Sequence, residues 1–230
     1  MKHMDYIYLK EDYYKNKKET FSFLIDILQK QKMANSSILD LGCSKGELLY
    51  HIKKELPKIT KLTGLDYSSD LISAAKEQTA LKGIDLKVGD AQNFTLNESF
   101  DFIVCAGTTG YFDSLDKLFD MVKIHLNKNG VALIFHLFNE LDVDVQVKYR
   151  NNAYFSDFET GWNLHSINTA KKLLNSVGLK LKDTHKFELS FDDKPKEDPA
   201  RSWTVYVDGE KKLTNGLGQV YDLICLELTH

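Results

Sequence analysis

SILDLGCSKGELLYHI, residues 37–52, decides how the rest of the chain is read. Residues 38–41 are a short apolar run broken by one acid, Asp40. Gly42, Cys43, Ser44, Lys45 and Gly46 follow, and then Leu48, Leu49 and Ile52 recur at helical spacing. The pattern predicts a buried strand, a glycine turn and the start of a helix. Gly42 and Gly46 let the backbone turn sharply and approach a ligand that a Cβ would hold off. The N–H groups of the first helical turn face whatever sits there. An ordinary turn that happens to contain glycine is the plain alternative.

Composition narrows the classes. With 230 residues the chain suits one α/β domain over 1–230 and is short for two. A hydrophobic share of 43% and a charged share of 27% are those of an ordinary globular protein. A net charge of −3, with both signs interspersed, argues against a protein held by nucleic-acid phosphates. Cys43, Cys105 and Cys225 are scattered, as reduced buried thiols of a cytosolic protein would be, and form neither a disulfide framework nor a zinc site. No apolar run is long enough to cross a bilayer and the N-terminus lacks a signal-peptide core, so a cytoplasmic location without membrane insertion is expected.

Along the chain, residues 1–34 read as one or two helices with a stripe of Phe21, Leu24, Ile25 and Leu28. A helix over 48–56 stops at Pro57. The strand over 62–66 ends in Asp66, close to the ~20-residue spacing at which an acid meets ribose hydroxyls in nucleotide-binding βαβ units. A helix-capping carboxylate is the alternative for Asp66. Ser68 or Ser69 caps a helix over 71–82. Strands over 85–88 and 100–106 follow, the second apolar throughout as a central parallel strand should be. It opens into GTTGYF, residues 107–112, at the edge where open α/β sheets bind ligands. Next come a helix over 115–126, a turn at 127–130 and a strand over 131–135 that delivers His136. Residues 139–165 break the regular pattern with a polar, aromatic insertion. Ser166 caps a helix over 168–177 that Gly178 ends, and a strand over 179–189 follows. Residues 190–218 hold a second insertion, where 203–207 and 210–213 flank an Asp208-Gly209 hairpin turn. A last strand runs over 219–228.

Four of these elements arrive in a familiar order. The acid-x-Gly-x-small-x-Gly run from Asp40 to Gly46 resembles motif I of the class I S-adenosylmethionine-dependent methyltransferases, with Ser44 where that family usually has glycine. Asp66, the Gly89-Asp90-Ala91 step, FDFIV and LNKNGVALIF resemble the elements that follow it in the family, and the resemblance covers residues 37–137. It implies a three-layer αβα sandwich around a seven-stranded, mainly parallel sheet with an antiparallel last strand, plus an N-terminal helical lid (1–34) and a C-terminal β-hairpin insertion. It also implies S-adenosylmethionine as cofactor. Asp40, Gly42, Cys43, Ser44 and Gly46 would form the cofactor loop, Asp66 would take the ribose, and Tyr67 would lie against adenine. Asp90 and the Ala91 N–H would read the adenine edge, with Phe94 at its border, and Ala106 would lead into the methionine end.

The acceptor is less legible. A histidine at the mouth of a strand can serve as base on a hydroxyl, which makes His136 a catalytic candidate, although it can equally shape the pocket. His165, Asp157 and Asp113 are the other groups that could reach an acceptor. Tyr14, Tyr111, Tyr154 and Trp162 are candidate substrate contacts, with packing of the lid as the alternative for each tyrosine. No His-x-x-x-His spacing is present, so no metal is expected. The expected partner is a small polar substrate, with a sugar, nucleotide sugar or surface-glycan hydroxyl first, an amino sugar or small amine second, and a non-catalytic cofactor-binding module third. The chain itself is expected to be a monomer or homodimer.

Overall fold

Period-two alternation in the central strands builds the molecule from the middle outward. The computed structural model describes residues 3–32, 34–153 and 155–230. In β1 (Ser36–Leu41) Ile38 packs to one side of the sheet, and Leu39 and Leu41 to the other. The strands that prove to be β4 (Phe100–Ala106) and β5 (Leu126–Asn139) repeat the division, with Phe102, Val104, Leu133 and Phe135 on the first face and Ile103, Cys105, Ala132 and Ile134 on the second. A sheet apolar on both faces needs a helical layer on each. Burial of each Leu, Ile, Val or Phe among them stabilises the fold by about 1.5–3 kcal/mol.

The helices divide accordingly. α2 (Glu19–Gln29), α3 (Glu47–Glu55) and α4 (Ser69–Lys76) pack on the first face, while α5 (Asp116–His125) and α6 (Ile167–Val177) pack on the second. α1 (His3–Lys10) lies against α4. Caps set the ends. Ser68 Oγ accepts from Leu71 N–H at 3.4 Å, Ser166 Oγ accepts from Asn168 N–H at 3.1 Å, and Gly178 ends α6 at φ +72°.

With β2 (Ile59–Asp66), β3 (Asp85–Val88), β6 (Lys180–Phe187) and β9 (Val220–Thr229), the sheet order is β3-β2-β1-β4-β5-β9-β6. All pairs are parallel except those of β9, which runs antiparallel to both β5 and β6. This is the expected seven-stranded frame with its antiparallel last strand. The strand order reverses between β1 and β4, which leaves a crevice at their carboxyl ends. The hairpin of β7 (Trp203–Val207) and β8 (Glu210–Thr214) turns on Asp208 at φ +51° and Gly209 at φ +83°, the left-handed pair of a type I′ turn. It joins the same sheet through Leu213 opposite Tyr221 and Thr214 opposite Val220. Because β9 opposes β5, its start, and so the hairpin, stands at the crevice end.

Several boundaries differ from expectation; β2 begins at Ile59, and β5 runs on past His136 to Asn139. The helix expected over 71–82 stops at Lys76, and a single 3₁₀ turn, Thr79–Leu81, follows. Residues 127–130 are no separate turn. β5 already begins at Leu126, opposite Phe100, and Val131 is opposite Phe102, so the four residues loop out of the pairing while Asn127 Nδ2 donates to Asp101 Oδ1 at 2.8 Å. Among the described residues, no helix is long and apolar enough to cross a membrane.

Candidate active site

The glycine turn after β1 is bound to the end of β2. Gly42 and Cys43 N–H groups both donate to Leu65 C=O, at 2.8 and 3.0 Å. Ser44 N–H donates to Asp66 Oδ2 at 2.8 Å, and Ser68 N–H donates to Oδ1 at 2.9 Å. Gly42 and Gly46 have φ of +78° and +81°, and a Cβ on Gly42 would meet Thr108 Oγ1 at 2.0 Å. Ser44 is also left-handed, at φ +51°, which explains why glycine is usual there. Asp40 is 2% exposed, and burial, with the nearby charges of Asp66 and Glu47, pushes its carboxyl up to about 8. Burial likewise raises Asp66, against the pull of its two backbone donors. Cys43 is buried and its thiol is pushed well up by burial and the same acids, so it packs rather than reacts.

These residues fit a nucleoside cofactor carrying positive charge. The half-buried Asp66 carboxylate retains acceptor capacity for vicinal hydroxyls. Tyr67, 71% exposed, follows it. Beyond Ala106, Gly107 has φ +79°, and a Cβ there would meet open space. Asp90 is exposed, and its Oδ1 accepts from Gln92 N–H at 2.9 Å, while Ala91 is buried. Phe94 does not border this site freely. It stacks on His125 with ring centroids 4.4 Å apart.

The N-terminal segment crosses the turn. Tyr14 Oη donates to Lys45 C=O, Lys45 Nζ donates to Glu11 C=O, and His51 Nε2 donates to Tyr13 C=O at 2.8 Å. Tyr14, expected at the substrate, therefore clamps residues 11–18 onto the cofactor loop, its ring edge-on to Tyr50. Tyr8 reaches further in. It hydrogen-bonds Tyr111, and burial raises it while the Arg201 charge pulls it back.

Both histidines hold the turn after β4. His136 Nδ1 accepts from Gly110 N–H at 2.8 Å, and burial together with His165 pulls its pKa down to about 3. The ring is neutral with its proton on Nε2, so it offers a donor. Of the two roles expected for His136, base or pocket shaper, this contact supports the second, because the one lone pair is bonded to Gly110. His165, the other histidine expected near the acceptor, is buried, and its Nε2–H donates to Thr109 C=O at 3.1 Å, a contact that positions the turn. Asp157 is exposed on the insertion, away from this turn's hydrogen bonds. Tyr154 lies outside the described residues.

Asn163 ties the insertion down. Its side chain donates to Phe112 C=O at 2.9 Å and accepts from Val147 N–H at 2.7 Å, and its backbone N–H donates to Gly110 C=O at 2.9 Å. Beside it Trp162 sits at φ +64°, its C=O accepts from Gln219 Nε2 at 2.8 Å, and its ring stacks on Tyr221. Gly161 lies between the rings of Tyr111 and Tyr149. Tyr8, Tyr111, Tyr149 and Trp162 thus gather at the crevice. Sequence reasoning missed Glu11, Tyr149, Asn163 and Arg201 as site residues. An arginine-to-carboxylate contact of 2.9 Å between residues 190 apart leaves no local pattern to read.

Comparison with known proteins gives three findings. The methyltransferase domain family matches residues 13–184. A Bacillus cereus malonyl-[acyl-carrier protein] O-methyltransferase is 24% identical over 174 residues, covering 73% of this chain and 63% of its own, and a Campylobacter jejuni carboxy-S-adenosyl-L-methionine synthase is 28% identical over 156 residues, covering 62% and 64%. The chain therefore spans less than two thirds of these relatives. A crystal structure of an S-adenosylmethionine-dependent methyltransferase from Clostridium acetobutylicum superposes with a TM-score of 0.59 at 18% identity, covering 97% of this chain and 94% of that one.

Proposed function

From the premise that this chain belongs to the methyltransferase domain family, of the class I S-adenosylmethionine-dependent type, we propose that it transfers a methyl group to a small polar acceptor. The hydroxyl of a sugar, nucleotide sugar or surface-glycan substituent is the leading acceptor. The observation that carries this reading is the aromatic crevice of Tyr8, Tyr111, Tyr149 and Trp162 beside the Asp66-braced glycine turn. Bound S-adenosylmethionine would supply a methyl group on a cationic sulfonium, open to in-line displacement. Asp66 would hold the ribose, Tyr67, Asp90 and Ala91 the adenine, and residues 42–46 with Ala106 the methionine end. The charges of Asp66 and Glu47, which raise Asp40, would favour a cation there. The tyrosines and Trp162 would hold the acceptor in line and exclude water, the part of the task that position alone accomplishes.

The state of His136 favours a second reading. A hydroxyl needs a base as it attacks, whereas an amine bound neutral does not. With the His136 lone pair committed to Gly110, an amino sugar or small amine is the alternative acceptor.

Calorimetric titration of S-adenosylmethionine and S-adenosylhomocysteine tests the cofactor reading. Wild type should bind at micromolar levels and Asp66→Ala at least tenfold more weakly, about 1.4 kcal/mol. If wild type bound neither ligand, the reading would be wrong. Turnover against sugar nucleotides and amino sugars then separates the two acceptors.

A further inference from the structure

Lys18, Lys45 and Arg201 gather where the N-terminal segment crosses the cofactor loop. Two of these cations are matched. Lys45 Nζ donates to Glu11 C=O and lies 3.3 Å from Glu47 Oε1, and Arg201 Nη2 donates to Glu11 Oε1 at 2.9 Å. Lys18 differs. Among the described residues its ammonium makes neither a hydrogen bond nor an ion pair. Its contacts are ring faces: Nζ lies 3.8 Å from the Tyr13 centroid, with Phe21 at 5.5 Å and Tyr8 at 5.6 Å. A ring attracts the charge, but an ammonium has three N–H donors that an oxygen accepts better. Burial lowers the Lys18 pKa, against the pull of the Glu11 and Glu47 charges. Those two acids face three cations, and the ammonium left over is the one on Lys18.

The position of Lys18 relates it to the methionine end of the cofactor site. Residues 11–18 are clamped along the glycine turn by Tyr14 on Lys45 C=O, by Lys45 on Glu11 C=O and by His51 of α3 on Tyr13 C=O. Lys18 feels the charges of Lys45 and Glu47, which flank Gly46. On its other side stands Tyr8, which bonds Tyr111 of the turn after β4. Lys18 therefore lies between the two turns that bound the crevice, on the side where residues 42–46 would hold the amino acid part of the cofactor. That part carries an ammonium and a carboxylate beside the sulfonium. The acids around Asp40 suit the two positive groups. The carboxylate calls for a cation, and Lys18 is the one in this corner without an anionic partner.

We propose that Lys18 receives the carboxylate of the cofactor's methionine end, which makes the N-terminal segment part of the cofactor site. The inference rests on the S-adenosylmethionine reading above and adds to it a residue from outside residues 37–137. It also gives the surrounding rings a function. Tyr8, Tyr13 and Phe21 hold water away from the ammonium, and an ion pair is stronger there than on an open surface. Arrival of the cofactor would in turn fasten residues 11–18 over the glycine turn.

S-adenosylhomocysteine and methylthioadenosine are the probes, because the second keeps the nucleoside and the sulfur and lacks the amino acid part. Both are titrated by calorimetry into the whole chain at constant ionic strength. Wild type should prefer S-adenosylhomocysteine by at least about tenfold, the scale of a charge-assisted hydrogen bond. Lys18→Met keeps an apolar stem of similar length against the Tyr13 ring. It should bind S-adenosylhomocysteine at least about tenfold more weakly than wild type, and methylthioadenosine within about twofold. A folding defect would lower both affinities together, so the ratio of the two is the measure. Lys18→Arg keeps the charge and should recover most of the loss, and this recovery serves as the measure where methylthioadenosine binds too weakly to titrate. Unchanged S-adenosylhomocysteine affinity in Lys18→Met, or an equal loss for both ligands, overturns the proposal. Equal affinity of wild type for the two ligands overturns it and leaves the cofactor reading standing, whereas wild type that binds neither removes that reading and the role of Lys18 together.

Discussion

Two structures meet at the carboxyl edge of the sheet, and they are held by different kinds of contact. On the cofactor side Asp66 receives Ser44 N–H from 22 residues away and Ser68 N–H from two, and the turn between β1 and α3 is shaped by its own glycines. On the acceptor side Asn163 reaches Phe112 across 51 residues, Gln219 reaches Trp162 across 57, and Arg201 reaches Glu11 across 190. Local backbone geometry builds the first wall, and side chains from distant segments staple the second. The first should therefore fail through strain and the second through loss of single side chains.

The largest effect expected is at Gly42. Alanine there must adopt a left-handed φ, costing about 1–2 kcal/mol, and must move Thr108, at about 1–3 kcal/mol more. Urea unfolding should show a loss of about 3 kcal/mol, and S-adenosylhomocysteine binding should weaken with it. Thr108→Ala in the same background should recover the steric part only. A loss under about 1 kcal/mol would mean that the turn is not held as described.

Asn163→Ala should cost less and act on the other wall alone. It strands the buried Phe112 C=O and the partly buried Val147 N–H, worth about 2 kcal/mol. S-adenosylhomocysteine should bind this variant within about twofold of wild type, because the Asp66 brace is untouched. A tenfold loss of cofactor affinity in Asn163→Ala would show the two walls to be coupled and would erase the distinction.

The same division explains what could be read from the sequence. Strands β1, β3 and β4, the caps at Ser68, Ser166 and Gly178, and the Asp208-Gly209 turn are local statements, and alternation, cap chemistry and turn residues write them into a few neighbouring positions. Asp66 at the end of β2 was legible for the same reason. His136 was expected just past a strand ending at 135, but β5 runs on to Asn139 and His136 lies within it, opposite Ile224. That its lone pair belongs to Gly110 was not legible, since a 26-residue contact to a backbone N–H leaves no trace in residue type. Tyr14 was open between a ligand contact and packing of the lid, and the bond of its hydroxyl to Lys45 C=O supports packing. Arg201 was visible in composition, yet only the fold brings it to Glu11, 190 residues away.

Ser44 gives the smallest effect and the finest probe of the cofactor wall. Its φ of +51° costs a non-glycine residue about 1–2 kcal/mol, while glycine would add about 0.5–1 kcal/mol of lost chain entropy on folding. Ser44→Gly should therefore stabilise the protein by about 0.5 kcal/mol in urea unfolding. The N–H to Asp66 is retained in glycine, so cofactor affinity should stay within about twofold. Two results would be informative in opposite directions. Lower stability would mean that the serine hydroxyl makes up for its backbone strain. Unchanged stability with weaker cofactor binding would mean that the hydroxyl, placed one residue from Lys45 and two from Gly46, is itself a ligand contact that the usual glycine cannot make.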